Sequence, residues 1–283
     1  MILFKEAEEL KKYISRKKKE GKIIGFVPTM GALHPGHMSL ISKCKNTVDV
    51  TVCSIFVNPT QFNDPKDFEK YPVTIGNDIL QLETSGCDVL FLPSVEQVYP
   101  YGTENLSRYD LGNIENLLEG KYRPGHFQGV CQVVHRLLEV VTPDYLFMGQ
   151  KDYQQSLIVK KLVQLIEMQV EVETAGTFRE NSGLAMSSRN MRLSEKQKEE
   201  AIVISKTLEY IKSHYRSTPL RELELYAKEF LLNSGFKIVD YVSIANAETL
   251  QPAQNALEPN GLVALAAATI GEIRLIDNLF LSA

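Results

Sequence analysis

Residues 28–37 combine glycine and histidine in a way that suits the binding of a phosphate group. They read Pro-Thr-Met-Gly-Ala-Leu-His-Pro-Gly-His and follow a short apolar run. The glycines let a ligand approach the backbone closely, and a helix beginning at the end of the segment would point free N–H groups and its dipole at an anion. The segment is neither a Walker loop nor a G-x-G-x-x-G fingerprint, so it indicates a phosphate site of another type.

His34 and His37 lie at the expected start of that helix, three residues apart. They could donate hydrogen bonds to phosphate, ligate a metal, or serve only the local structure. Zinc normally takes three or four ligands, and the sequence places no cysteine, glutamate or third histidine nearby. We therefore favour phosphate contact, ahead of a structural role, and predict no metal site built from protein ligands.

A second candidate segment is residues 149–155, Gly-Gln-Lys-Asp-Tyr-Gln-Gln. Lys151 supplies a mobile positive charge, Asp152 could cap the helix that follows, and Gln155 lies one turn further along. The alternative is that Lys151 and Asp152 form an ordinary surface pair. The position of the segment after an apolar strand favours a role in binding.

A third candidate segment, residues 183–190, reads Gly-Leu-Ala-Met-Ser-Ser-Arg-Asn. The guanidinium of Arg189 can form forked, charge-assisted hydrogen bonds, which the hydroxyls of Ser187 and Ser188 can supplement. This combination predicts a clamp for a polyphosphate. The alternative is that the segment only leads into the helix beginning at Ser194.

Asn58 and Gln61 provide neutral amides just after another apolar run. A primary amide both donates and accepts hydrogen bonds, which suits a hydroxy-acid substrate. For Asn58, which precedes Pro59, a capped turn is the competing interpretation.

Strands and helices alternate through the first part of the chain. Continuous apolar runs, typical of strands buried on both faces, are separated by segments with helical periodicity. This order predicts an α/β fold, a Rossmann-like doubly wound parallel sheet, whose ligands bind beyond the carboxyl ends of the strands. The predicted strands are residues 23–27, 48–57, 89–92, 145–148 and 170–175, and the predicted helices are residues 36–46, 74–85, 130–141 and 153–168.

The pattern changes after residue 181. Residues 194–215 and 220–233 have helical periodicity, with Ser194 and Gln197 as a capping box, and residues 238–244 and 262–270 have the character of strands. We therefore predict a Rossmann-like domain of residues 1–176 and a smaller α+β C-terminal domain of residues 177–283.

Composition excludes several classes of protein. The chain of 283 residues is 44% hydrophobic, and its net charge of −4 argues against non-specific nucleic-acid binding. It contains no apolar stretch approaching the ~20 residues that span a bilayer, and its first residues lack the features of a signal peptide. Its four cysteines are scattered without a C-x-x-C pair. We expect a soluble cytoplasmic protein with reduced and mostly buried thiols.

Taken together, these segments resemble the pantothenate synthetase (pantoate–β-alanine ligase) family. Residues 123–127, Arg-Pro-Gly-His-Phe, and residues 274–278, Arg-Leu-Ile-Asp-Asn, extend the resemblance over nearly the whole chain in matching order and spacing. The HxGH-type loop at residues 34–37 alone would indicate only the wider group of nucleotidylyltransferases and class I aminoacyl-tRNA synthetases. The alternative is therefore another nucleotidyltransferase of that group.

The resemblance implies an AMP-forming carbon–nitrogen ligase of vitamin B5 and coenzyme A biosynthesis. Such an enzyme condenses pantoate with β-alanine, using ATP, through a pantoyl-adenylate intermediate, and releases AMP and pyrophosphate. The resemblance also implies an ATP-binding domain, a smaller hinged lid domain, dependence on Mg²⁺ and a homodimer. Pantoate, β-alanine and ATP are the expected partners, with neither nucleic acid nor membrane.

The resemblance also assigns roles to residues. His37 is implied as a proton donor and, with His34, Lys151 and Arg189, makes up the expected catalytic set. The positions of Gln150 and Phe178 vary within the family. The implied ATP-binding residues are Met30, Gly31, Ala32, Leu33, His34, Pro35, Gly36, His37, Gly149, Gln150, Lys151, Asp152, Phe178 through its backbone, Met186, Ser187, Ser188 and Arg189. The residues expected at the other substrates are Asn58, Gln61, Arg123, Val130, Val133, Val134 and Gln155.

Overall fold

The computed structural model describes residues 1–63 and 65–281, which form two compact units. The first unit comprises residues 1–112, 123–149 and 155–176, and the second comprises residues 113–122, 150–154 and 177–283. Two short segments from the first part of the sequence thus pack with the C-terminal part. That residues 1–176 and 177–283 are separate domains stays a prediction.

The first unit is built on a six-stranded sheet in the order β1-β4-β3-β2-β5-β6. All its strand pairs are parallel, which confirms the predicted Rossmann-like sheet. The chain reverses its direction across the sheet between β2 and β5, and such a reversal opens a ligand crevice at the carboxyl ends of the strands. The strands are β1 Ile2–Phe4, β2 Ile24–Thr29, β3 Val50–Ile55, β4 Val89–Phe91, β5 Tyr145–Gly149 and β6 Glu171–Ala175.

Helices cover the sheet, and this explains the apolar runs of the central strands. Every residue of β3 is buried, as a strand covered on both faces requires. Val27, Cys53 and Leu90 from the strands pack with Ile41 and Leu82 from the helices. The helices are α1 Ala7–Lys19, α2 Pro35–Thr47, α3 Pro65–Glu69, α4 Ile75–Thr84, α5 Val95–Val98, α6 Leu118–Tyr122, α7 His126–Val141, α8 Tyr153–Leu165, α9 Glu195–Ala201, α10 Val203–His214 and α11 Leu220–Asn233.

The second unit has an antiparallel sheet of β7 Ile238–Asn246, β8 Leu262–Ile270 and β9 Ile273–Phe280, with β8 in the centre. A tight turn joins β8 to β9, and Gly271 there has a φ of 57°, which favours glycine. Leu208 and Ile211 of α10, Leu223 of α11 and Ile244 of β7 belong to the core of this unit.

The structure differs from the sequence-based prediction at several elements. It contains two strands, β1 and β9, that the sequence pattern does not predict, whereas α11 and β8 have the predicted bounds. The single helix expected over residues 194–215 is two helices, α9 and α10, that meet at Ile202. Ser194 and Gln197 form the predicted capping box, with a bond of 3.3 Å from the backbone N–H of Gln197 to the Ser194 hydroxyl.

All four cysteines are buried free thiols, as expected. Burial raises the pKa of Cys44 to about 11 and that of Cys87 to about 12, so neither thiol is a ready nucleophile. Within the part of the chain that the structure describes, none of the helices combines the length and apolar character needed to cross a bilayer.

Candidate active site

The loop after β2 depends on backbone conformations that favour glycine. Gly31 has a φ of 82°, and a Cβ atom there would lie 3.0 Å from Cγ2 of Ile55 and 3.1 Å from Oδ2 of Asp78. Ala32 also has a positive φ, of 48°. A larger residue at position 31 would therefore be strained and crowded.

A buried carboxylate, Asp78 of α4, holds this loop in place. Its Oδ2 accepts a hydrogen bond of 3.0 Å from the backbone N–H of Ala32, and its Oδ1 accepts one of 2.8 Å from that of Leu33. The hydroxyl of Thr74 donates a third, of 2.9 Å, to Oδ1. Asp78 is fully buried, and its hydrogen bonds to the two backbone N–H groups fix the conformation of the loop. The sequence analysis did not identify this residue.

His34 and His37 lie at the start of α2, as predicted. His34 is the N-cap residue, and its backbone N–H donates a hydrogen bond of 3.3 Å to Nδ1 of His37. Because Nδ1 accepts this hydrogen bond, it carries no proton, and the neutral imidazole of His37 has its proton on Nε2. The two ring centroids are 4.0 Å apart. Two imidazoles thus stand beside the N-terminus of a helix that favours anions.

Asn58 and Gln61 follow β3, and the structure joins them by a hydrogen bond of 3.1 Å from Nδ2 of Asn58 to Oε1 of Gln61. The Asn58 Oδ1 accepts bonds from Tyr99 Oη, at 2.9 Å, and from the backbone N–H of Thr60, at 3.4 Å. Asn58 therefore caps the 3₁₀ turn Pro59–Gln61 and holds the side chain of Gln61. The Nε2 of Gln61 lies 3.0 Å from Sδ of Met30, so this amide reaches the first loop.

Helix α7 supports this turn through a close backbone approach at Gly129. A Cβ atom on Gly129 would lie 2.3 Å from the carbonyl oxygen of Thr60 and 2.7 Å from Cα of Gln61. Only glycine allows the helix to pass this near. The predicted valines Val130, Val133 and Val134 are buried on the same helix.

Arg123 is connected to Gln61 through His126. The Nη1 of Arg123 lies 3.1 Å from Nε2 of His126, and Nδ1 of His126 lies 2.8 Å from the backbone oxygen of Gln61. A carbonyl only accepts, so Nδ1 carries the proton and Nε2 accepts from Arg123. The Nε of Arg123 also donates to the side-chain oxygen of Asn63, at 3.4 Å.

The second unit contains the segment that includes Lys151. Nζ of Lys151 lies 3.1 Å from Oδ1 of Asp152, which is the side-chain pair considered in the sequence. The side chain of Lys151 keeps 19% of its surface exposed. Asn278 of β9 holds the backbone, because its Nδ2 donates to the carbonyl oxygens of Gln150, at 2.9 Å, and of Lys151, at 2.8 Å.

Residues 178–190 of the same unit form an arm that folds back on itself. The backbone N–H of Met186 donates to the carbonyl of Phe178 at 3.0 Å, and Arg179 and Ala185 form an antiparallel bridge. Ser187 caps the 3₁₀ turn Ser188–Arg192, with its hydroxyl accepting from the N–H of Arg189 at 3.3 Å. The predicted clamp residues, Ser187 to Arg189, thus lie in an arm whose backbone is held by these hydrogen bonds.

The predicted residues fall into two sets, one in each unit. The first set contains residues 30–37, Asn58, Gln61, Arg123, the three valines, Gly149 and Gln155, and the second contains residues 150–152, Phe178 and residues 186–189. The side chains that hold these segments were not predicted from the sequence. Among them, only Asp277 and Asn278 could have been found, because they lie in the motif at residues 274–278 that resembles the family. The missed residues are Asp78, Gly129, Arg179, Asp277 and Asn278.

A parallel sheet with a reversal beside a glycine loop and a helix N-terminus is typical of nucleotide-binding α/β proteins. The family model described as pantoate-beta-alanine ligase matches residues 2–280. The chain therefore belongs to the pantoate–β-alanine ligase family.

Individual relatives agree with this assignment over their full lengths. The pantothenate synthetase of Leptospira interrogans serovar Lai is 44% identical, with 100% of this chain and 99% of the relative covered, and that of Carboxydothermus hydrogenoformans is 41% identical, with 99% of each covered. The solved pantothenate synthetase of Thermus thermophilus has a TM-score of 0.92, 36% identity and 100% coverage of both chains. The Francisella tularensis pantoate–β-alanine ligase, solved in complex with β-γ ATP and β-alanine, has a TM-score of 0.82, 37% identity and 100% and 98% coverage.

Proposed function

We propose that this protein condenses pantoate with β-alanine, using ATP, and releases pantothenate, AMP and pyrophosphate. The observation that carries the proposal is the membership of the whole chain in the pantoate–β-alanine ligase family, over residues 2–280. The loop at residues 30–37 supplies chemistry that fits this reaction, since it places two imidazoles at the N-terminus of α2, where the helix dipole favours an anion. The alternative, a different nucleotidyltransferase, does not account for a match of this extent.

In the proposed first step the pantoate carboxylate attacks the α-phosphorus of ATP. A P–O bond forms, the bond to the bridging oxygen breaks, and pyrophosphate leaves with the electron pair. The substrate is its own nucleophile, so the protein contributes by positioning the reactants and stabilising the charge that develops on pyrophosphate. We assign this stabilisation to His34, His37, Lys151 and Arg189, supplemented by the hydroxyls of Ser187 and Ser188.

His37 is suited to the role of proton donor. Its Nδ1 is occupied as an acceptor of the His34 N–H, so Nε2 presents the proton. A donor fixed in this tautomer can stabilise a developing negative oxygen without first reorganising.

We place pantoate beside Gln61 and Gln155, with Val130, Val133 and Val134 as the apolar wall for its two methyl groups. Amides suit this carboxylate, because an arginine in contact with it would stabilise the nucleophile in its ground state and add binding without rate. Asn58 uses its amide to hold Gln61 and Thr60, so we assign it a positioning role rather than direct contact.

In the proposed second step the neutral amine of β-alanine attacks the acyl carbon of pantoyl adenylate. A C–N bond forms, the acyl C–O bond to the phosphate breaks, AMP leaves with the electron pair, and the nitrogen releases one proton to solvent. Water must be kept from this intermediate. We propose that the residues of the second unit close over ATP as a lid and open to release products, as many such enzymes do. Gln150 to Asp152, Phe178 and Met186 to Arg189 are then the segments of the second unit that complete the ATP site, and Gly149 contributes from the end of β5 in the first unit.

Mg²⁺ fits the proposed site as a partner of the nucleotide. Among residues 1–63 and 65–281 there is no cluster of three or more His, Cys, Asp or Glu side chains that could hold a metal. Mg²⁺ is commonly bound by phosphates, waters and at most one or two carboxylates, which is compatible with this arrangement. When bound, it would neutralise phosphate charge. We further propose a homodimer that works in the cytoplasm.

ATP–pyrophosphate exchange tests the proposal. Labelled pyrophosphate should enter ATP when pantoate is present and β-alanine is absent, because adenylation alone is reversible. Exchange that strictly required β-alanine would exclude the adenylate intermediate. Formation of a stable dinucleotide-like product from a phosphate-bearing substrate would instead identify the alternative nucleotidyltransferase.

A further inference from the structure

Two consecutive residues of β9, Asp277 and Asn278, are both buried although neighbouring side chains in a strand point to opposite faces. Asp277 is 4% exposed and Asn278 is 2% exposed. A buried aspartate and a buried asparagine side by side are costly unless their polar atoms are all satisfied. Their partners explain why they are there.

Asn278 holds the segment that carries Lys151. Its two Nδ2 hydrogens go to the carbonyl oxygens of Gln150 and Lys151, at 2.9 and 2.8 Å, and its Oδ1 accepts from Nε2 of Gln150 at 3.1 Å. The side chain thus uses both donors on the backbone of this turn and its acceptor on the side chain of Gln150. An aspartate has the same shape but lacks both donors.

Asp277 holds the arm that carries Ser187 to Arg189. Its Oδ2 accepts from Nη1 of Arg179 at 2.6 Å, and its Oδ1 accepts from Nη2 at 2.9 Å, which is a bidentate pair. Nη1 of Arg179 also donates to the carbonyl of Gly183, at 3.1 Å, at the tip of the arm. The pair therefore fixes the start and the turn of the arm to the strand.

The two attachments are also joined to each other. Oδ1 of Asp277 accepts from the backbone N–H of Asn278, at 2.8 Å, and Nη2 of Arg179 lies 3.5 Å from the backbone oxygen of Asn278. Two adjacent residues of β9 thus hold both the segment that carries Lys151 and the arm of residues 178–190, which are far apart in the sequence.

We propose that Asp277 and Asn278 are positioning residues that set Lys151 and the clamp residues Ser187 to Arg189 at the spacing needed to hold one triphosphate. This inference rests on the proposed function, since it assigns both segments to ATP. The two residues act through the segments they hold, without contact with the substrate. A one-residue change in either should misplace charge around the phosphates while leaving the pantoate side of the site unchanged.

The test uses Asn278→Asp and Asp277→Asn, which keep the shape of each side chain, in the full-length protein. Adenylation is measured by ATP–pyrophosphate exchange with pantoate, and the second step by pantothenate formation from supplied pantoyl adenylate and β-alanine. A misplacement of about 1 Å can cost about 10²-fold in rate, so exchange should fall by about that factor. The second step should stay close to the wild-type rate, because pyrophosphate has already left.

Asp240→Asn is the matched control. It removes the negative charge of a carboxylate that accepts a hydrogen bond of 2.7 Å from Arg274 in the same sheet, and Asp240 contacts neither segment through a side-chain hydrogen bond that the structure records. Exchange in this variant should stay near the wild-type rate. If the folded Asn278→Asp and Asp277→Asn variants exchange at the wild-type rate, or if they and the control lose both steps equally, the positioning role is wrong.

Two further variants keep the test decisive if a first variant does not fold. Asn278→Ala removes the donors without adding charge, and Arg179→Lys leaves β9 intact while losing the bidentate pair. Both should show the same split between the two steps, and unchanged exchange in either would overturn the corresponding half of the proposal. Absence of pantoate-dependent exchange in the wild-type protein would instead refute the proposed function. Titration with ATP alone would then still report whether the variants bind it more weakly.

Discussion

Asp78 shows how one buried carboxylate can fix the conformation of a loop. It accepts hydrogen bonds from the backbone N–H groups of Ala32 and Leu33. The positive φ of Ala32, a residue with a Cβ atom, is costly, and hydrogen bonds to a charged acceptor offset that cost.

Asp78→Asn should therefore impair ATP use more than folding. An asparagine presents an N–H₂ group to one of the two backbone N–H groups, and hydrogen bonds to charged groups contribute about 1.5–3 kcal/mol each. We expect pantoate-dependent exchange to fall by about 10–100-fold, measured at saturating pantoate with ATP varied. Thr74→Val, which removes only the hydroxyl donor to Asp78, should have a smaller effect. Wild-type exchange in a folded Asp78→Asn protein would contradict this role.

The two histidines of α2 allow a second prediction at the residue scale. Loss of one donor to developing charge costs about 10²–10³ in rate, so His34→Ala and His37→Ala should each slow adenylation by about that factor. Circular dichroism should remain unchanged, and zinc chelators should have no effect on the wild-type protein. His214→Ala on α10 is the control and should behave as the wild type. Stoichiometric zinc that is needed for activity would refute the assignment to phosphate.

The sequence allowed a prediction of candidate residues in the loops but not of the side chains that hold the loops. The reason is the distance along the chain between a loop and the side chain that holds it. Leu33 and Asp78 are separated by 45 positions, and nothing in the local pattern around Asp78 distinguishes it from a surface aspartate at a helix start. Buried partners of this kind become visible only when the strands and helices are assembled.

At the scale of elements, the alternation of apolar runs and helical segments was sufficient to predict the parallel sheet. The same pattern did not predict two edge strands, β1 of the parallel sheet and β9 of the antiparallel sheet. β1 has only three residues, Ile2–Phe4, and two of them are exposed, so it has no buried pattern. β9 mixes charged and apolar residues and contains the buried Asp277 and Asn278, which look like solvent-facing residues in a sequence.

The contact between α7 and the 3₁₀ turn at Gln61 gives a prediction for an element. Gly129→Ala would place a methyl group 2.3 Å from the carbonyl oxygen of Thr60 and 2.7 Å from Cα of Gln61, so the turn or the helix must move. Overpacking of this kind costs about 1–3 kcal/mol, which should lower the urea midpoint and raise the KM for pantoate.

Gly76→Ala is the matched control for that experiment. Gly76 lies in α4, and a Cβ atom there meets nothing within 4 Å, so alanine should be neutral or slightly stabilising. If Gly129→Ala has the same small effect as Gly76→Ala on stability and on pantoate use, the close approach is not needed.

At the scale of the molecule, the chain passes between its two compact units after residues 112, 122, 149, 154 and 176. The sequence pattern indicated a boundary only in the region of the last of these passages, because periodicity changes after residue 181, and the division into domains at residues 176 and 177 stays a prediction. The pattern could not locate the others, since a segment of five or ten residues that packs with distant partners has no pattern of its own. Glu119 lies in one such segment and pairs with Arg274 of β9.

The pairing of Glu119 with Arg274 should be essential to the stability of the second unit. Arg274 donates from Nη1 and Nη2 to Glu119, at 2.8 and 2.6 Å, and from Nε to Asp240, at 2.7 Å, while the hydroxyl of Tyr241 donates to Glu119 at 2.8 Å. The side chain of Glu119 is 8% exposed. A fragment that ends at residue 176 would keep the Glu119 carboxylate and lose Arg274, its cationic partner. We therefore expect such a fragment to contain a segment, residues 113–122, whose packing partners are missing.

Arg274→Met tests this in the full-length protein. Removal of one partner of a buried ion pair costs about 3–5 kcal/mol, because the remaining charge stays desolvated. Urea unfolding followed by circular dichroism should show a loss of that size, whereas Arg16→Met, which removes an exposed pair with Glu20, should leave the unfolding midpoint nearly unchanged. The double variant Glu119→Gln, Arg274→Met should be more stable than Arg274→Met alone, since it no longer buries the Glu119 charge. If adding Glu119→Gln to Arg274→Met instead lowers the free energy of unfolding further, the unpaired charge of Glu119 is not the reason that Arg274→Met is destabilising.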